Sequence, residues 1–178
     1  VNAGMAHLRR VAGEDTGLLL PDTSKLFVAL ARFNIDLGRL DDATELIFAG
    51  FDYCDRGLLQ PAASEDERRN FQIHFAQLAS DHGVIFSERG DFAAALEAFE
   101  ASLGRFELAG TGCGIMTVPV ICRIADTLRE LGKFDEALGR IESAFHALDD
   151  PIEVVDFPRS AAEVQLLLSK ATIRSWQG

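Results

Sequence analysis

No apolar run in this 178-residue chain approaches the roughly 18 residues that a membrane-spanning helix requires. The longest candidate, around Gly114 to Cys122, is short and contains Pro119. The N-terminus also lacks the basic-then-apolar order of a secretory signal. Cysteine is scarce: Cys54, Cys113 and Cys122 form no CxxC pair and no even framework, which points to a reducing compartment and to thiols that act as small buried hydrophobes. Basic charge is short as well, with 17 Lys and Arg against 28 Asp and Glu and a net charge of -11. Arg9-Arg10 and Arg68-Arg69 are the only basic doublets, and each has acidic neighbours. A phosphate backbone would be repelled by such a surface. Strand-type alternation of apolar and polar residues is missing throughout. These absences predict a cytoplasmic, all-α chain that binds neither membrane nor nucleic acid.

What is present is apolar content and self-similarity. The chain is 48% hydrophobic, enough for a large core in a domain that buries roughly 70% of its extended surface. Three segments share one pattern: GRLDDATELI from Gly38, GDFAAALEAF from Gly90 and GKFDEALGRI from Gly132. The spacings, 52 and 42 residues, exceed the period of about 34 common in helical repeats. Each Gly stands between two stretches with apolar residues every three or four positions. Leu26, Phe27, Leu30, Ala31, Asn34 and Leu37 lead the first pair, and Leu40, Ala43, Ile47, Phe51 and Cys54 follow it. Phe71, Phe75, Leu78, Ile85 and Phe86 precede Gly90, with Phe92, Ala95, Leu96, Phe99, Leu103 and Phe106 behind. Val118, Ile121, Ala125, Leu128 and Leu131 lead the third pair, and Phe134, Ala137, Leu138, Ile141, Phe145 and Leu148 complete it.

Turn chemistry agrees with these pairs. Gly at each junction takes the left-handed conformation that ends a helix, and Asp41, Asp42, Asp91, Asp135 and Glu136 then lie in the next first turn, where the macrodipole favours negative charge. Ser64-x-x-Glu67 and Ser160-x-x-Glu163 are capping-box spacings. The five prolines fall between helices or at their starts.

These residues resemble the tetratricopeptide repeat, most closely in ASDHGVIFSERGDFAAALEAFEASL from Ala79 to Leu103, where Gly83, Phe86, Gly90, Phe92, Ala95, Phe99 and Ser102 occupy the positions of its small residues and packing aromatics. The longer period and the lack of a leading Trp set this chain apart as a long-period variant. The resemblance implies a right-handed α-solenoid of about three and a half antiparallel helix pairs, in one domain over 1–178. Its parts would be a leading helix (1–20), units over 22–55, 64–109 and 115–148, and a partial unit over 160–178. Val164, Leu167, Leu168 and Ala171 read as the apolar stripe of that last helix. Val1 in place of Met, and Gly178 at the turn position of an unfinished unit, lead to the expectation of a larger, multidomain parent.

Motifs for chemistry are weak. Gly110-Thr-Gly-Cys-Gly114 lacks the GxGxxG order and the P-loop Lys, so it reads as a connection. His74 and His82 lie about 12 Å apart on one helix, too far to share an ion, and His82 reads as a hydrogen-bonded core histidine. His146, with Asp149 and Asp150, reads as a solvated helix end. No Ser-His-Asp or Cys-His set converges locally. The expectation is a non-enzyme without cofactor or metal. Trp176, among polar neighbours, is expected to pack against a missing element or to anchor a partner, with packing the favoured reading.

The resemblance further implies that the first helix of each pair lines a concave face. That face would present Lys25, Val28, Arg32 and Asp36 from the first unit. Gln77, Ser80, Val84, Ser87 and Glu88 would come from the second, and Cys122, Asp126, Arg129 and Glu130 from the third. A peptide or helix of a partner protein would lie there, with Arg32 and Arg129 meeting an acidic group. The two-carboxylate-clamp pattern of chaperone-binding relatives is absent, because Val28 and Arg32 stand at two of its positions. Two other readings are carried: a ligand- or peptide-sensing regulatory domain of a larger bacterial signalling or transcription regulator, and homo-oligomerisation through Val164, Leu167, Leu168 and Trp176.

Overall fold

The computed structural model describes residues 19–111, 116–148 and 159–177. Among them the chain forms seven helices and no strand: α1 (Pro21–Asp36), α2 (Leu40–Leu58), α3 (Glu65–Glu88), α4 (Phe92–Leu108), α5 (Thr117–Glu130), α6 (Phe134–Leu148) and α7 (Arg159–Gln177). No helix of the described residues is long and apolar enough to cross a membrane. The leading helix expected before Leu19, Cys113 and the Asp149-Asp150 pair lie outside the described residues.

The junction glycines do what the sequence requires of them. Gly38, Gly90 and Gly132 have φ of 69°, 75° and 74°, a region that L side chains enter only under strain. The residue after each Gly donates its N–H to the carbonyl five positions back: Arg39 to Asn34 at 2.8 Å, Asp91 to Phe86 at 2.9 Å and Lys133 to Leu128 at 2.8 Å. This is the Schellman closure, which satisfies carbonyls that a helix end otherwise leaves bare. Starts are equally local. Ser64 Oγ accepts from the Glu67 N–H, and Glu67 Oε2 accepts from the Ser64 N–H at 2.8 Å, completing the expected capping box. The Ser64 N–H and the Ser64 hydroxyl, both donating to Oε2, hold the Glu67 carboxyl below its usual range. Ser160 differs from its expected role, since α7 begins at Arg159 and the serine lies inside the first turn.

Helix direction follows from the side chains that meet. Gly57 faces the Phe71 ring and Gly50 faces Leu78, so α2 and α3 run antiparallel. Ser102 Oγ donates to the Ala76 carbonyl at 2.7 Å while Gly83 faces Phe99, which sets α4 antiparallel to α3. By contrast, Ser24 Oγ meets His74 Nδ1 at 2.7 Å and Arg32 Nε donates to Asp81 at 2.9 Å, so α1 and α3 run in the same direction. The Cys122–Ser169 hydrogen bond and the Arg129 guanidinium 5.5 Å over the Trp176 ring set α5 and α7 likewise. Helices α1 and α3 are thus parallel, as are α5 and α7, while α2 and α4 both run against α3. The bare glycine faces permit this close stacking, for a Cβ at Gly50, Gly57 or Gly83 would sit 2.5–2.6 Å from the facing side chain.

Two apolar clusters result. One gathers Phe27, Tyr53, Phe71, Leu78 and Ile85 from α1, α2 and α3. The other runs from Ala76 and Phe99 through Ile124 and Ile141 to Leu166 and Ile173. Helix α3 contributes to both, so it ties the two halves together.

The register of α7 overturns the expected stripe. Val164, Leu167 and Leu168 are 55%, 56% and 64% exposed, and Ala171 is exposed as well. The buried line is Ala162, Leu166, Ser169 and Ile173. This helix carries two apolar stripes, and the less hydrophobic one faces α5 and α6. The assignment has a direct test in matched truncations. Leu166→Ala should lower the unfolding free energy by about 2 kcal/mol, whereas Leu168→Ala should stay within about 0.5 kcal/mol of the parent. Equal losses in urea titrations would show the stripe to be wrongly placed.

Candidate functional site

Helix α1 packs on α3, and α5 on α7, in addition to their antiparallel neighbours; α3 and α5 share no packing of that extent. A groove opens between them, with α4 beneath. One section is a cleft of about 510 Å³ lined by Arg32, Gln77, Ser80, Phe106, Met116, Pro119, Val120 and Arg123. The next holds about 170 Å³ between Val84, Ser87, Phe92, Phe99, Arg123, Asp126, Thr127 and Glu130. Residue numbers rise together along α3 and α5 from one section to the next. The sections therefore follow one another along α3 and α5, with Arg123 on the wall of both. At 1.5 Å per residue, the α5 wall from Met116 to Glu130 is about 21 Å long.

The polar centre is built on a buried carboxylate. Asp81 has a side chain only 4% exposed, against 50% for Arg32. Arg32 Nε donates to its two oxygens at 2.9 and 3.2 Å. Arg123 reaches over from α5 and donates from Nη1 to Ser80 Oγ at 2.8 Å. Burial dominates the Asp81 titration and pushes its pKa up to about 6, against the opposing pull of Arg32 and Arg123, with Asp36 adding a smaller upward push. The same desolvation lowers the Arg123 guanidinium from its ordinary value. At the other end of the groove Asp126 is also raised, first by burial, although Arg129 opposes it.

Of the residues expected to line a concave face, Arg32, Gln77, Ser80, Val84, Ser87, Asp126 and Glu130 do meet in this groove. Val28 does not: it is 4% exposed and packs in the first core cluster beside Phe27. Lys25 is exposed two turns before Arg32, outside both sections, where its charge helps to lower the His74 pKa after burial, the main cause. Cys122 lies in the second core cluster, its thiol raised by burial. Arg129 is turned toward α7 instead of the groove: its side chain is 16% exposed, pairs with Glu130 at 2.5 Å and covers Trp176. Trp176 itself remains 66% exposed.

Arg123 is the residue that the sequence reading missed. Counting from Pro119 in steps of three and four gives Pro119, Arg123, Asp126 and Glu130, all on the groove wall. The signal was present, but the face had been counted from Cys122, one position off. His82 also departs from expectation. Its ring sits 4.4 Å from Phe86 and 5.2 Å from Phe48, so aromatic contacts take the place of the expected hydrogen bond. Burial lowers its pKa, and Arg89 adds to that. The chain matches no protein-family model and no curated protein.

Proposed function

We propose that the chain is a TPR-like α-solenoid, right-handed and built of about three and a half helix pairs, that serves as a protein–protein interaction module. It holds a peptide or helix of a partner in the groove between α3 and α5. The observation that carries this reading is the meeting of side chains from α1, α3, α4 and α5 around one open cleft. Its lining combines two arginines and two polar side chains with Phe106, Met116, Pro119 and Val120. Ligand sites commonly have this make-up, an apolar wall with a few placed polar groups, and a volume of roughly 300–1,000 Å³.

The test is selection of a displayed random-peptide library against the whole chain, followed by Gln77→Trp, which fills the cleft from a half-buried position. Selected peptides should bind the parent and lose at least about tenfold in affinity on the variant, at unchanged helical content by circular dichroism. Failure to enrich any peptide, or equal binding to the blocked variant, would refute the reading.

A further inference from the structure

The two sections of the groove differ in charge. The first is lined by Arg32 and Arg123 with no carboxylate, because Asp81 lies behind its wall. Arg32 is anchored through Nε and Arg123 through Nη1. The remaining nitrogens of both guanidiniums have no hydrogen bond among the described residues. The second section carries Asp126 and Glu130 beside Arg123; Glu130 is paired with Arg129, whereas Asp126 accepts no hydrogen bond among the described residues and is the open carboxylate of this section. A groove with this order favours a ligand of the opposite order, since misplacing a like charge costs more than the pair gains. In a chain of net charge -11, the arginine section is a local reversal of sign, and anions are repelled from most of the remaining surface.

An extended strand advances about 3.3 Å per residue, so a wall about 21 Å long takes six residues or so. Arg123 and Glu130 are about 10 Å apart along α5, close to three extended residues. Resting on the reading that this groove binds a peptide, we infer that its ligand is an extended segment carrying an acidic and a basic side chain three residues apart. The acid lies between Arg32 and Arg123, and the base over Asp126 and Glu130. Apolar residues flanking the acid meet Met116 and Pro119, the exposed and half-buried apolar residues of that lining.

Labelled hexapeptides test this by fluorescence anisotropy at low salt with the whole chain. One set pairs Glu and Lys three residues apart in either chain direction, on a leucine and alanine background. Two control sets carry Glu at both places or Lys at both. One direction of the Glu/Lys set should bind at least about tenfold more tightly than either control. The Arg32→Gln, Arg123→Gln double variant should lose that advantage and gain relative affinity for the Lys/Lys set. Gln is chosen so that no new carboxylate faces Asp81, and Asp126→Asn provides the reciprocal change: it should weaken Glu/Lys binding and leave Glu/Glu binding unchanged or stronger. Equal binding of all three sets, or unchanged preference in both variants, would overturn the charge order. If library-selected peptides still lose affinity on Gln77→Trp in that case, the groove stands as a binding site and only its charge selectivity is wrong. If no peptide depends on the groove at all, the binding reading itself has failed.

Discussion

Phe99→Ala should lower the unfolding free energy by about 3–5 kcal/mol, the range for emptying a buried aromatic site. Phe99 is 1% exposed, belongs to the second core cluster and forms part of the groove floor. Its ring lies against the bare backbone of Gly83, where an added Cβ would be 2.5 Å from Cε1. Two effects therefore compete at position 83. Alanine is the better helix former by about 1 kcal/mol, but overpacking costs about 1–3 kcal/mol, so Gly83→Ala should be destabilising on balance. In the Phe99→Ala background the clash disappears and only the propensity gain remains. Gly83→Ala should then be neutral or stabilising, and the double-mutant cycle should show a coupling equal to the relieved overpacking, about 1–3 kcal/mol. Urea titrations of the four proteins measure it. A Phe99→Ala loss under about 1 kcal/mol would mean that α3 and α4 are not in this contact.

The second large effect concerns pH. The Asp81 pKa in the fold, about 6, lies above its ordinary 3.8, so between those values the folded chain binds more protons than the unfolded one. Its contribution to stability consequently rises as pH falls through 6 and is complete below about 4. The span corresponds to about 2–3 kcal/mol. His74 and His82 act the other way: burial lowers both, and the stability each lends by staying neutral is lost as pH falls below about 6.5. Wild-type stability alone would mix these slopes. The difference between Asp81→Asn and wild type isolates the carboxylate, because the histidines are common to both. Asp81→Asn should gain relative to wild type by about 2 kcal/mol between pH 4.5 and pH 8. The gain is physically reasonable because Arg32, half exposed, can return to water once the carboxylate has gone. A difference flat in pH would show that Asp81 titrates normally.

Much of the helix layout was legible because it rests on local chemistry. Gly38, Gly90 and Gly132 announce their Schellman ends, and Ser64 with Glu67 announces the start of α3, since each closure uses hydrogen bonds within about six residues. The stripes of α4 and α6 were likewise readable, because Ala95, Phe99 and Phe106, or Ala137, Ile141 and Leu148, leave no competing apolar face. The stripe of α7 was not. Val164, Leu167 and Leu168 outweigh Ala162, Leu166 and Ser169 in hydrophobicity, and nothing within the helix says which line meets α5 and α6.

The groove divides in the same way. The helical period places Gln77, Ser80, Val84 and Ser87 on one face of α3, and these residues line the clefts together with Asp126 and Glu130. Arg123 was lost to a one-residue shift of face, and Val28 was mistaken for a lining residue although it borders the face that Phe27 and Ala31 bury. The partnership of Asp81 with Arg32, 49 residues apart in sequence, has no local signature at all.

The sequence by itself determined an all-α chain, the glycine ends of α1, α3 and α5, the capped start of α3, and Gly83 as a small residue at a helix crossing. These follow from hydrogen bonds and steric contacts within a turn or two of the backbone. Only the tertiary structure decided the register of α7, the opening between α3 and α5, and the convergence of Arg32, Asp81 and Arg123. Those depend on the rotation and spacing of whole helices, which packing between distant segments sets.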